Sequence, residues 1–210
     1  MASSYQKYDT IVLGIDQSYE RCGISIAADG RLIHVSSVDL SRFKTKTEKR
    51  KAMSRAVGTQ ARRIALRGAD PICVIERIRT FSQSFISVPY IQAMGGMNAV
   101  IVDTCADAHV PVFSVNTKTW KSYVVGTSQS QENDYGVPPQ KWPTIEWLIG
   151  QGFEDAIKIE LPVNTRKKKG TFIQDGKRYQ YDNDAADSAG IAMFPFARNI
   201  DLEKMLRRES

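Results

Sequence analysis

Apolar residues gather in short runs broken by polar turns, and three such runs open the chain. Residues 11–16 are apolar and close on a carboxylate, Asp16, which predicts a buried central strand. Residues 22–27 predict a second strand and residues 32–38 a third. They are joined through Ala28-Asp29-Gly30-Arg31, an Asp-Gly hairpin turn. The domain therefore begins with three antiparallel strands.

The period then lengthens. From about 45 to 67, Met53, Val57, Ala61 and Ile64 form an apolar helical stripe, and Lys46, Lys49, Arg50, Arg55, Arg62 and Arg63 cover the rest. Gly68-Ala69-Asp70-Pro71 reads as the stop of that helix. Residues 72–76 predict a buried strand that again ends in an acid, Glu76. A long apolar helix containing Gly95-Gly96 follows over about 87–108, then a strand over 110–115. Asn116 is placed to cap a helix carrying Lys118 and Lys121.

Residues 129–139 are polar with two prolines and predict a mobile loop, and 141–149 predict a helix. The stretch 157–182 carries Arg166-Lys167-Lys168-Lys169 and an Asp175-Gly176 turn before Lys177-Arg178, the pattern of a basic β-hairpin. Residues 184–196 predict a closing helix and 199–210 a flexible tail. The expected architecture is one α/β domain over 1–210. It has a mixed five-stranded sheet, its first three strands antiparallel, helices on both faces and the hairpin as an insertion.

Composition narrows the functional classes. Of 210 residues 42% are hydrophobic and 25% charged, as in ordinary soluble globular domains. No apolar run reaches the ~18 residues of a membrane span, and the first residues lack the core of a secretory signal. The expectation is a cytoplasmic protein without membrane contact. Three scattered cysteines and two histidines exclude a disulfide framework and a zinc cluster; Cys22 and Cys73 read as small buried hydrophobes. A net charge of +6 suits a polyanionic partner, because neutralising phosphates releases counterions.

Acids stand where buried elements do not favour them. Asp16 and Glu76 each end an apolar strand, and Asp184 and Asp187, three apart, share one helical face. If the two strands are neighbours, four carboxylates meet at one sheet edge and repel one another unless cations intervene. Mg²⁺ or Mn²⁺, two per site, are the natural counter-ions for an all-oxygen donor set. The structural alternative treats Asp16 as a strand-end turn residue and Asp184 as a helix N-cap, with Asp187 favouring the helix dipole.

Four segments resemble, in order, those of RuvC-type Holliday junction resolvases of the RNase H-like superfamily. They are Gly14-Ile15-Asp16-Gln17-Ser18 with Gly23-Ile24-Ser25-Ile26; Ile75-Glu76-Arg77; Trp120-Lys121-Ser122-Tyr123-Val124-Val125-Gly126; and Asp184-Ala185-Ala186-Asp187-Ser188-Ala189. Together they cover about residues 10–198. The resemblance implies an RNase H-like fold, a homodimer and metal-dependent incision of four-way DNA junctions. It makes Asp16, Glu76, Asp184 and Asp187 the metal ligands and places Lys121, with Lys141 as a second cation, near the scissile phosphate. In the two-metal hydrolysis this suggests, Asp16 would bridge both ions, Glu76 and Asp184 would each complete one coordination sphere, and Asp187 would orient a ligand or water.

There are departures from the family pattern. Asp-Gln-Ser replaces the usual Asp-Pro-Gly, as in phage-encoded relatives, and a phage or mobile-element origin fits this. Arg79 stands where relatives carry an aromatic residue, with Phe81 two positions on, and the basic hairpin replaces a shorter connection. Expected DNA contacts are Lys118, Lys141, Arg79, Phe81, Arg166, Lys167, Lys168, Lys169, Lys177 and Arg178. Phe172, Tyr179 and Tyr181 are placed to stack on unpaired bases. The 87–108 helix is the expected dimer element. Rival readings are a nuclease for flaps, forks or RNA–DNA hybrids, a non-catalytic junction binder, and an acetate-kinase-like phosphotransferase. The last would need a second domain and more phosphate-binding glycine loops.

Overall fold

Strand β1 (Tyr8–Asp16) lies in the middle of a five-stranded sheet because neighbours on both sides take up its backbone groups. The computed structural model describes residues 7–78, 88–127, 131–162 and 170–197. On one side β1 pairs antiparallel with β2 (Arg21–Ala28), which pairs antiparallel with β3 (Arg31–Asp39). The turn between β2 and β3 places Asp29 and Gly30 at φ 47° and 76°, the left-handed pair of a type I′ hairpin. On its other side β1 pairs parallel with β4 (Gly68–Glu76), which pairs parallel with β5 (Val112–Val115). The order β3-β2-β1-β4-β5 is the expected mixed sheet.

Several boundaries differ from expectation, among them the start of β1 at Tyr8, three residues before the apolar run. β4 begins at Gly68, so the presumed helix stop is itself strand. Pro71 is tolerated because pairing with β5 starts only at Cys73, whose N–H donates to the Pro111 carbonyl at 2.8 Å. Its missing N–H therefore deprives no neighbouring strand. β5 starts at Val112, two residues later than the apolar run.

Alternation along the strands sorts the core. Ile11, Leu13, Ile15, Ile24, Cys73 and Ile75 face α1 (Lys46–Ala65) and α2 (Val88–Asp107), and all three cysteines are buried. α1 buries the expected stripe, and Thr45 caps it in a reciprocal capping box with Glu48. Lys49 departs from the expected solvated face. It is buried, donates to the Tyr19 carbonyl at 3.1 Å and lies over the Tyr19 ring. Gly96 is filled by the Arg50 guanidinium of α1, whereas a side chain at Gly95 would meet open space.

The other sheet face receives α6 (Asn183–Met193), which continues as a 3₁₀ turn over Phe194–Phe196. Outside α6 lie α4 (Trp142–Gly150) and α5 (Glu154–Ile157). Next comes a three-stranded antiparallel sheet of β6 (Lys158–Glu160), β7 (Thr171–Gln174) and β8 (Lys177–Tyr181). The expected hairpin is β7–β8, turned at Asp175-Gly176; β6 adds a third strand on β8.

Its aromatics do not stand ready for bases. Phe172 and Tyr181 pack 4.9 Å apart, centroid to centroid, and Tyr135 stacks on Trp142 at 5.0 Å. Tyr181 is buried and donates to Glu154, and Phe172 lies against Tyr179. Aromatic packing thus ties the small sheet to α4. The segment expected to be mobile is pinned where described, by Asn133 donating to the Val137 carbonyl and accepting from the Tyr135 and Val137 N–H groups. No helix among the described residues is long and apolar enough to cross a membrane.

Candidate active site

The site begins with two strand ends. β1 and β4 run parallel in register, Ile15 opposite Ile75, so Asp16 and Glu76 leave the same end of adjacent strands. Alternation turns both toward the α6 face, the side of Val12 and Val74.

α6 reaches that face through missing side chains. A Cβ at Gly14 would stand 2.4 Å from the Ala192 nitrogen, and one at Gly23 would stand 1.8 Å from the Asp184 carbonyl oxygen. Gly14 pairs with Ser25 and Asp16 with Gly23, so these positions form one patch on which the helix backbone rests. Ser25 and Ser188 close the contact with a buried hydroxyl pair at 2.7 Å. The helix start is fixed by Asp182, the N-cap, which accepts from the Ala185 N–H, Arg21 and Ser37. Asp184 is therefore not the cap, and the structural alternative for it does not hold.

Asp184 and Asp187 thereby stand over Asp16 and Glu76. Burial, and then Asp187, Glu76 and Asp184, push the Asp16 carboxyl well above the usual carboxylate range, against an opposing pull from Lys141. Burial raises Asp184 to about 6, helped by Asp182 and Asp187 and opposed by Lys141 and Arg21. Asp187 is only 3% exposed and lies between two ammonium groups. Lys141 Nζ is 2.8 Å from Oδ2, and Lys121 Nζ is 3.3 Å from Oδ1, an ion pair without hydrogen-bond geometry. Burial pushes Lys141 down, but Asp187, Asp16 and Asp184 outweigh it and hold the ammonium above its ordinary pKa.

Glu76 has its own clamp. The Thr117 hydroxyl donates to Oε1, and the Trp120 indole N–H points at Oε2 from 3.4 Å. Both come from the segment Asn116 caps: α3 (Thr117–Trp120), then a π turn over Lys121–Val125. The Trp120 ring also packs on Gly190 of α6, and Lys121 lies over that ring at 5.1 Å. Gln17, buried beside Asp16, donates its amide to the Glu76 backbone carbonyl and ties the two acidic strand ends together. Sequence reading missed Gln17, Thr117, Trp120 and Asp182. Asp182 carried a signal as an acid just before a helical run, and Gln17 and Trp120 stood inside the family-like segments without being given a role.

A cavity of ≈ 310 Å³ runs from Asp16, Glu76 and Asp184 past Arg77 to Tyr90 and Met94. A second, of ≈ 350 Å³, runs from Asp16, Glu76 and Asp187 past Lys118 and Lys121. Among the described residues, the carboxylates thus lie where two adjoining cavities meet.

The donor set, oxygen throughout with no histidine or sulfur, fits a hard divalent cation. Among the described residues, no group of three or more acids, histidines or cysteines is poised to hold an ion as the side chains lie. In this arrangement the ammonium groups of Lys141 and Lys121 stand against Asp187.

The expected DNA contacts are distributed unevenly. Lys118 is exposed at the second cavity and Lys141 lines both. Lys177 is on the remote hairpin, paired with Glu160 at 2.9 Å, and Arg178 is on the same strand. Arg79, Phe81, Arg166, Lys167, Lys168, Lys169 and the tail 199–210 lie outside the described residues.

No protein-family model matches the chain, and neither does any curated protein sequence. Solved structures do. RuvC of Thermus thermophilus aligns over 95% of this chain and 96% of its own, with a TM-score of 0.54 at 16% identity. T. thermophilus RuvC in complex with a Holliday junction substrate aligns over 89% and 93%, with a TM-score of 0.58 at 16% identity. The chain has the RNase H-like fold of the RuvC-type resolvases.

Proposed function

We propose that this chain is a single-domain, divalent-metal-dependent endonuclease that resolves four-way DNA junctions by paired nicks in the cytoplasm. The observation that carries this is the meeting of Asp16, Glu76, Asp184 and Asp187 at one sheet edge, with Lys121 and Lys141 beside them in a groove. The fold it shares with a resolvase solved on its junction supports the substrate class.

Asp16, Glu76, Asp184 and Asp187 would hold Mg²⁺ or Mn²⁺, two per site; such ions activate water and stabilise a leaving oxygen when bound. The chain's own groups do the rest. Thr117 and Trp120 hold Glu76 in orientation, Gln17 keeps the strand ends together, and Lys121 stabilises charge on the phosphate. Lys118 on the groove wall, with the basic residues at 166–169 and on β8, tracks the backbone.

Two symmetric cuts call for a two-fold pair of sites, and we assign the dimer contact to α2. Its outer face exposes Val88 (65%) and Val102 (40%), with Gly95 and Ala99 between them at helical spacing.

A panel of labelled substrates tests the assignment: mobile four-way junction, flap, fork and RNA–DNA hybrid, each with Mg²⁺. Symmetric nicks in the junction at least about tenfold faster than in the others are expected. Preference for a flap or hybrid makes it a different nuclease, and binding without nicking makes it a structure-specific binder.

A further inference from the structure

The carboxylate cluster already contains a cation, and it belongs to the chain. Lys141 Nζ stands 2.8 Å from Asp187 and is also among the charges acting on Asp16 and Asp184. Besides Asp16 and Glu76, it is the residue that lines both cavities, so it sits where they join. Asp187 is almost fully buried; without a partner it would be an uncompensated charge, which costs several kcal/mol. Lys121 holds the other Asp187 oxygen from a buried position against Trp120.

The two lysines differ in freedom. Lys141 stands at the N-cap of α4, ahead of Pro143, and its side chain is 33% exposed against 11% for Lys121. Its long stem lets the ammonium leave Asp187 while the helix stays in place.

We propose that Lys141 is the resident counter-cation of the cluster, and that a divalent ion is taken up in exchange for its ammonium, which swings onto phosphate in the groove. This rests on the metal-dependent reading above. Exchange makes metal uptake by the DNA-free protein unfavourable, because the incoming ion must displace the short Lys141–Asp187 pair. Substrate phosphate lowers that barrier by receiving the displaced lysine, so metal and DNA reinforce each other's binding.

The test is calorimetric titration of the metal-free, DNA-free protein with Mn²⁺. Lys141→Met is expected to bind Mn²⁺ about tenfold more tightly than wild type, and Lys141→Arg, which keeps the charge, to stay as weak as wild type. Equal or weaker binding by Lys141→Met overturns the exchange and leaves the metal reading standing. Absence of Mn²⁺ binding in every form removes both. Should Lys141→Met fail to fold, the wild type is followed by ¹⁵N-lysine ammonium resonances, with Lys141→Arg assigning the signal. The Lys141 signal is expected to shift as diamagnetic Mg²⁺ saturates the site, and a signal unchanged at saturation overturns the proposal.

Discussion

Replacing Gly23 by alanine tests how α6 is seated on the sheet. The added Cβ would lie 1.8 Å from the Asp184 carbonyl oxygen, whereas real contacts do not fall below 3.0 Å. The obstacle is backbone on both sides, so no side-chain rotation relieves it. The start of α6 must retreat by roughly 1.2 Å, carrying Asp184 and Asp187 away from Asp16 and Glu76. Overpacking of this kind costs about 1–3 kcal/mol of stability. A displacement near 1 Å in a reacting site costs about 10²-fold in rate.

The assay pairs a urea melt with single-turnover nicking of a four-way junction. Gly23→Ala is expected to fold with reduced stability and to nick about a hundredfold more slowly. Gly150→Ala is the control: nothing lies within 4 Å of its new methyl, at the exposed end of α4, and it should match or exceed wild-type stability at full activity. If Gly23→Ala nicked at the wild-type rate with an unchanged melt, the close-seating argument would be refuted.

Other consequences follow from the same contacts. Thr117→Val removes a donor from Glu76, and the loss of a charge-assisted hydrogen bond worth about 1.5–3 kcal/mol should slow nicking by tenfold or more in single-turnover kinetics. Asp182→Ala removes the α6 cap and leaves Arg21 without its 2.9 Å partner; a stability loss of about 2–4 kcal/mol should appear in urea melts. The Asp184 carboxyl is raised to about 6 from 3.8, so its contribution to metal-free stability is fully present below pH 3.8 and lost as pH rises through 6. Asp184→Asn should therefore stabilise the metal-free protein at pH 7.5, by up to about 3 kcal/mol, while nicking falls away; a destabilised Asn variant at that pH would contradict the sign.

Much of the sheet was legible because each strand is an apolar run with its own punctuation. The Asp-Gly turns before Arg31 and Lys177 and the Asn116 cap are local signals that tertiary context had no reason to override. The acids stood out because carboxylates closing apolar strands are uncommon in a core. What stayed hidden depends on contacts between distant residues. Nothing near Pro71 says that β5 begins too late to need its N–H. Nothing in the spacing of the α1 lysines says that Lys49 turns inward to Tyr19. Phe172, Tyr179 and Tyr181 alternate with basic residues as a nucleic-acid surface would, but Tyr135 packs on Phe172 and Tyr181, Trp142 packs on Tyr181, and Tyr179 lies against Phe172. Glycines at 14 and 23, inside strands, were the overlooked sign that a helix backbone comes close.

The central claim is that the four acids form a divalent-metal hydrolytic site. Its most direct measurement is cleavage of a 5′-labelled four-way junction by wild type and Asp16→Asn, with Mg²⁺ or with chelator, mapped to the nucleotide. The account predicts symmetric nicks from the wild type with Mg²⁺ alone, and none from Asp16→Asn, although that variant still binds the junction. Undiminished cutting by Asp16→Asn, or by wild type in chelator, contradicts it.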